Sequence, residues 1–232
     1  MSVAVIGTDT GVGKTMVCAA LLRRLSSTEK PRRSIAYWKP IATGSDEDRD
    51  TSTIVELLGG EAAIADGIEI LPESYLFRTP VSPHLAARLE GKTIDPVLVV
   101  AAFDRHRNAV PGRALIVEGV GGLLVPLTDS GVLFPGLLSA FGLPCVLVAR
   151  GTLGTINHTL LTLEAARVRG LEIAGVILNG RCEAENRRAI ERFGQVEILG
   201  ELPPIEPLTA DSLAVAARSL DPEGHLESLF EP

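Results

Sequence analysis

Lysine is scarce in this chain. Of the 22 basic residues among 232, only Lys14, Lys30, Lys39 and Lys92 are lysines. The overall balance is acidic, with a formal net charge of −7, which argues against a nucleic-acid partner because that role needs a basic face. Cysteine is sparse too: Cys18, Cys145 and Cys182 stand far apart without a C-x-x-C pair. Their odd number and lack of pairing fit buried, reduced thiols and a cytoplasmic location. No apolar run is long enough to span a membrane, since Ala114 to Leu127 is interrupted by Glu118 and by Gly119, Gly121 and Gly122. The first residues carry no basic region and break at Gly7 and Asp9, so no signal peptide is expected. Repeats and low-complexity tracts are also missing. A chain of this length fits one sizeable α/β domain over residues 1–232, large enough to need no disulfide or metal staple.

What the chain does have lies at its start. The apolar run Val3-Ala4-Val5-Ile6 reads as a buried strand, and Val17, Leu21, Leu22 and Leu25 mark one face of a helix. Between them stands Gly7-Thr8-Asp9-Thr10-Gly11-Val12-Gly13-Lys14-Thr15. A glycine loop joining a strand to a helix N-terminus points backbone N–H groups at anionic oxygens, and the helix dipole adds to their pull. Lys14 can then reach the β- and γ-phosphates of a nucleotide, and the Thr15 hydroxyl can ligate Mg²⁺. The pattern G-x-x-x-x-G-K-[ST] would place glycine at position 8. Thr8 stands there and Gly7 comes one residue earlier, so the loop is one residue longer. An ordinary glycine-rich turn with a surface lysine is the alternative. The flanking strand and helix favour a nucleotide triphosphate site.

The rest of the chain alternates strand-like and helix-like runs. Strands are expected at Ile35–Trp38, Ala114–Val117, Cys145–Val148, Ile173–Leu178 and Ile198–Leu199. Helices are expected at Thr51–Leu58, Pro83–Leu89, Val97–His106, Asn157–Arg169, Ala184–Phe193 and Ala210–Leu220. Short all-apolar strands are buried on both faces, as in a parallel sheet. The alternation implies right-handed βαβ units. The predicted fold is α/β, a three-layer sandwich of the P-loop NTPase type with a mostly parallel central sheet flanked by helices. Asp221–Pro232 is expected to be a weakly ordered tail.

Ligands of such a sheet bind beyond the carboxyl ends of the strands. Lys39 lies there, held extended by Pro40. It reads either as a solvated lysine or as a cation aimed into the site; as a strand-end residue it should matter little for folding. Glu118 ends an apolar strand and either caps a turn or holds Mg²⁺. Asp46, Glu47 and Asp48 read as a solvated loop, with Asp50, before a helix, as the member nearest the metal or simply a helix cap. Asn179 ends a strand, and its amide matches the adenine edge, although Asn-Gly is also a common turn. His158 has no partner pattern and reads as structural.

Taken together, these residues resemble the dethiobiotin synthetase family along nearly the whole length. The resemblance is carried by the phosphate loop, Trp38-Lys39-Pro40-Ile41-Ala42-Thr43-Gly44, Val81-Ser82-Pro83-His84-Leu85-Ala86-Ala87, Val117 to Pro126, Leu153-Gly154-Thr155-Ile156-Asn157-His158 and Gly200-Glu201-Leu202-Pro203. The lengthened loop is a trait of that family. The resemblance implies an ATP-dependent cyclo-ligase acting on 7,8-diaminopelargonate: one amine takes up CO₂ (or bicarbonate) as a carbamate, ATP phosphorylates it, and the second amine closes the ureido ring. It implies Lys39 and Lys14 as catalytic lysines and Thr15, Asp50 and Glu118 as Mg²⁺ positions. ATP contacts are implied for Gly11, Val12, Gly13, Lys14, Thr15, Met16, Gly119, Val120, Gly121, Asn179, Gly180, Pro203, Pro204 and Ile205. Thr10 and Thr43 correspond to diamine contacts. Gly154, Thr155, Ile156 and Asn157 match a loop that receives the substrate carboxylate across a homodimer interface. Some members carry an acidic residue where this chain has Gly11.

Two other classes share parts of the pattern. Regulatory ATPases of the partitioning and septum-positioning type have a lysine where this chain has Asp9. Non-catalytic relatives fused to other enzymes need not keep Lys39, Thr43 or the Gly154–Asn157 loop.

Overall fold

The computed structural model describes residues 2–26, 34–45, 49–60, 67–221 and 224–230. A seven-stranded sheet forms its middle layer. The strands are β1 (Ser2–Gly7), β2 (Ile35–Trp38), β4 (Ile68–Leu71), β6 (Ala114–Glu118), β7 (Cys145–Arg150), β8 (Ile173–Asn179) and β9 (Ile198–Leu202). They run in the order β4-β2-β6-β1-β7-β8-β9, and every pairing is parallel. All the carboxyl ends therefore open on one edge. β1 lies between β6 and β7, where successive connections leave in opposite directions, so its loop emerges at the crevice such sheets offer to ligands.

Alternation of side chains explains the two flanking layers. Val3 and Val5 of β1 point into one core, Ala4 and Ile6 into the other, and all are buried. The first core is completed by α1 (Lys14–Ser26), α2 (Asp50–Leu57), α8 (Ala210–Ser219) and α9 (His225–Ser228). The second takes α3 (Pro83–Leu89), α4 (Pro96–Asn108), α5 (Phe134–Phe141), α6 (Thr155–Val168) and α7 (Ala184–Gly194). In it Trp38 stacks on Phe103 with ring centroids 6.3 Å apart, and Phe141 closes on Phe103 at 4.5 Å.

Several elements differ from what the sequence suggests. A second, two-stranded parallel sheet joins β3 (Ile41–Thr43) to β5 (Tyr75–Phe77). Three-residue strands are too short for a periodic signal, and β4 alternates only at its buried ends, Ile68 and Leu71. The helix α5 begins Phe-Pro-Gly, which looks like a break. Its proline falls in the first turn, where no intrahelical donor is lost. The helix α6 starts at Thr155, two residues earlier than expected, because Gly154 turns the chain with φ 91°.

The tail also differs. Leu226 and Phe230 are buried in the first core. Asp221, itself buried, accepts hydrogen bonds from the backbone N–H of Leu226 (3.0 Å) and Glu227 (3.2 Å). Arg24 of α1 donates to the Asp221 carbonyl at 2.8 Å. These contacts hold residues 224–230 to the body of the protein; positions 222–223 and 231–232 lie outside the described residues.

Candidate active site

β1 ends at Gly7, and the loop from Thr8 to Gly13 delivers Lys14 as the first residue of α1. Gly11 and Gly13 take φ values of 73° and 92°, a left-handed region that glycine enters without strain. Lys14 is nearly buried, and its Nζ donates to the carbonyls of Asp9 (3.1 Å) and Gly121 (2.7 Å). Burial, followed by the nearby Lys39 charge, pulls its pKa below the usual 10.5.

The second lysine is not a solvated one. Lys39 is only 4% exposed, and its Nζ lies 2.7 Å from Glu118 Oε1 and 2.6 Å from Asp50 Oδ2. Burial alone would lower its pKa, but the Glu118 and Asp50 carboxylates outweigh burial and raise it. Lys39 is therefore a fixed ammonium. Desolvation likewise opposes ionisation of Asp50, and Lys39 and the Thr15 hydroxyl overcome it, leaving the carboxyl below its ordinary value of 3.8. Thr15 Oγ1 lies 2.7 Å from Asp50 Oδ1 and 3.0 Å from Glu118 Oε1, and its single proton is shared between the two carboxylates. Lys39 is thus buried and paired with two carboxylates, not a strand-end side chain free of contacts.

Tyr37 was missed by the sequence reading. It is fully buried on β2, and its hydroxyl donates to Glu118 Oε2 at 2.7 Å. Burial and the Glu118 charge raise its pKa well above 10, so it stays a donor. With Oε2 held by Tyr37, Oε1 is left facing Thr15 and Lys39. Its only sequence signal is an in-facing polar group two residues before Lys39, within a run that otherwise reads as core. A second missed contact joins Asp9 Oδ2 to the Arg150 guanidinium at 2.8 Å.

A cleft of about 310 Å³ is lined by Thr10, Gly11, Gly13, Lys14, Thr15, Lys39, Thr43, Asp50, Glu118, Val120 and Gly121. Most residues expected at the phosphates, the metal and the diamine thus meet in one place. Two carboxylates and a hydroxyl converge there. Hard oxygen donors of this kind suit Mg²⁺. Val12 and Met16 pack into the first core behind the loop, and Gly119 donates its N–H to the Val5 carbonyl at 2.9 Å. Asp46, Glu47 and Asp48 lie outside the described residues.

A second, larger cleft of about 690 Å³ adjoins the ends of β8 and β9. Gly180, Arg181, Cys182, Glu201, Pro203, Pro204 and Glu206 line it. Gly180, Pro203 and Pro204 are where base contacts are expected, whereas Ile205 packs against the first core. Asn179 lines neither cleft; its Nδ2 donates to the Val12 carbonyl at 2.9 Å. Gly154 to Asn157 also line neither. They form the N-terminal turn of α6, beside a fully exposed Leu153, and the buried Thr155 hydroxyl has no hydrogen-bond partner among the described residues.

Comparison with known proteins bears on the fold and the family. A family model described as an AAA domain matches residues 1–212. The chain is 45% identical over 214 residues to the ATP-dependent dethiobiotin synthetase BioD of a Rhodopseudomonas palustris strain, covering 92% of this chain and 91% of that protein. Against the Agrobacterium fabrum protein of the same name the identity is 43%, covering 89% and 88%. Among solved structures, the septum site-determining protein MinD of Pyrococcus horikoshii, complexed with Mg-ADP, superposes with a TM-score of 0.60 at 16% identity, covering 99% of this chain and 92% of that one. A ParA family ATPase from Chlorobium tepidum gives 0.56 at 14% identity, covering 99% and 96%. Likeness at that identity shows a shared fold. Full-length similarity at above 40% identity shows more: the chain belongs to the ATP-dependent dethiobiotin synthetase family.

Proposed function

We infer that this protein is a ligase that joins CO₂ to 7,8-diaminopelargonate and closes the ureido ring of dethiobiotin at the expense of ATP. The observation that carries the reading is the buried Lys39 ammonium, paired with Glu118 and Asp50 beside the phosphate-loop lysine. In the proposed sequence an amine lone pair attacks CO₂ and releases a proton, leaving a carbamate. A carbamate oxygen attacks the γ-phosphorus and ADP departs. The second amine then attacks the carbamoyl carbon and loses a proton to solvent as the C–O bond breaks and inorganic phosphate departs.

The carbamate, the γ-phosphate and the carbamoyl phosphate are all anionic, so the protein's task is to place cations and hold them still. Lys39 is suited to that task and unsuited to accept protons, because its carboxylate neighbours keep it charged. Asp50 and Glu118 are tied to Lys39 and Thr15, which leaves neither poised to activate water. Thr15, Asp50 and Glu118 would hold Mg²⁺, which neutralises phosphate charge when bound. We place the adenine in the cleft of Gly180, Pro203 and Pro204, and the amines against Thr10 and Thr43. The carboxylate is assigned to the first turn of the partner's α6 in a homodimer, since backbone N–H groups at a helix start favour anions. Sedimentation at assay concentration should give a dimer; a fully active monomer would remove that assignment.

The direct test supplies 7,8-diaminopelargonate, bicarbonate and Mg-ATP and identifies the product by mass. Dethiobiotin in amounts equal to ADP is the expected result. ADP without the ureido product would overturn the reading.

A further inference from the structure

Asn179 lies where three loops of the site meet. Its backbone carbonyl accepts from Gly151 N (3.1 Å), at the start of the connection from β7 to α6. The next residue, Gly180, donates its N–H to the Leu202 carbonyl (2.8 Å), immediately before Pro203 of the larger cleft. The Asn179 side chain turns the other way and donates to the Val12 carbonyl of the phosphate loop. Two glycines make this convergence possible. A Cβ on Gly13 would fall 1.9 Å from Asn179 Nδ2, and one on Gly151 would fall 2.2 Å from the Arg181 carbonyl oxygen. Both loops close on the 179–182 segment at distances that only glycine permits.

We propose that Asn179 is a positioning residue for the phosphate loop: by holding the Val12 carbonyl it sets the affinity for a nucleoside triphosphate whatever base is attached. An amide carries two donors and an acceptor, so this bond leaves groups that can still face a base. The tie to Val12, however, acts on the backbone that cradles the phosphates. The inference rests on reading the 310 Å³ cleft as the triphosphate site.

Binding of ATP, GTP, CTP and UTP in Mg²⁺, measured by calorimetry on the parent, Asn179→Ala and Asn179→Ser, separates the possibilities. Loss of a hydrogen bond of this kind should weaken all four nucleotides by a similar factor, about tenfold in Asn179→Ala. Asn179→Ser keeps a donor and should recover part of the loss; it also serves if the alanine variant does not fold. Backbone amide exchange at Gly13 and Lys14 should quicken in the variants while exchange in β9 stays unchanged. Weakening confined to ATP, with the other three nucleotides and the exchange rates unmoved, would overturn the proposal and leave a base contact only. A parent that binds none of the four would overturn the nucleotide-site reading, and this inference with it.

Discussion

At one end of the site, Lys39, Glu118, Asp50, Thr15 and Tyr37 hold one another through short bonds between largely buried groups. The other end is walled by Gly180, Pro203, Pro204 and by polar residues open to solvent. The contrast follows the chemistry each must serve. Transition-state charge is stabilised best by groups fixed before the reaction begins, in surroundings that screen little. A purine asks mainly for a flat, partly apolar slot. On the proposed reading the bonded, buried side chains are concentrated at the phosphate end, and the same change in a side chain should matter far more there than at the base end.

The largest effect should come from Lys39→Ala. Loss of one electrostatic contact made in the transition state lowers kcat by about 10²–10³-fold. Lys39→Arg should also fail substantially, since a planar guanidinium cannot take the place of a compact ammonium between two carboxylates. Stability should respond too. Without Lys39 the buried Glu118 and the partly buried Asp50 lose their paired cation and keep only the more distant Lys14 charge, a loss of up to about 3 kcal/mol. Mg²⁺ should restore much of it. Melting curves with and without Mg²⁺ check this, and a variant as stable as the parent in chelator would show that the pair carries little of the fold.

Tyr37→Phe should be milder. It removes one hydrogen bond to a buried carboxylate while keeping the ring, with the loss of about 1.5–3 kcal/mol typical of charged partners. We expect Mg²⁺ half-saturation to rise at least tenfold, read by Mn²⁺ titration as well as by turnover. An unchanged metal titration would show that Glu118 is oriented by Lys39 and Thr15 alone.

Much of this contrast was already readable in the sequence, though unevenly. The phosphate loop, Lys39 and Glu118 follow from strand ends in a parallel sheet, where backbone direction alone places a residue at the crevice; Asp50, the first residue of α2, follows instead from an acidic run before a helix and from the family resemblance. Tyr37 was hidden because an aromatic residue in an apolar strand reads as core, and only its hydroxyl's partner reveals otherwise. The β3–β5 sheet escaped because three residues carry no period. Asn179 was legible as a strand-end amide, but its bond to Val12 crosses the chain between residues far apart in sequence, a contact no local pattern encodes. Leu226 and Phe230 looked like tail because their anchor, Asp221, is a single capping side chain.

The smallest effect is expected at the base end. Cys182 borders the larger cleft and is partly exposed, whereas Cys18 and Cys145 are fully buried, and burial pushes the Cys145 thiol up to about 12. Native alkylation near pH 8 should modify Cys182 alone, slowly, because burial also raises its own pKa. The modified protein should show an ATP KM a few-fold higher and an unaltered kcat. Mass mapping with kinetics decides; a large fall in kcat would show that the two ends are not separable.

Phosphate release in the presence and absence of 7,8-diaminopelargonate, with bicarbonate and Mg-ATP constant, tests the central claim most directly. A site whose described carboxylates, Asp50 and Glu118, are held by Lys39 and Thr15 should release phosphate in step with dethiobiotin and fall to background when the diamine is withheld. Phosphate released equally fast without the diamine would contradict the account.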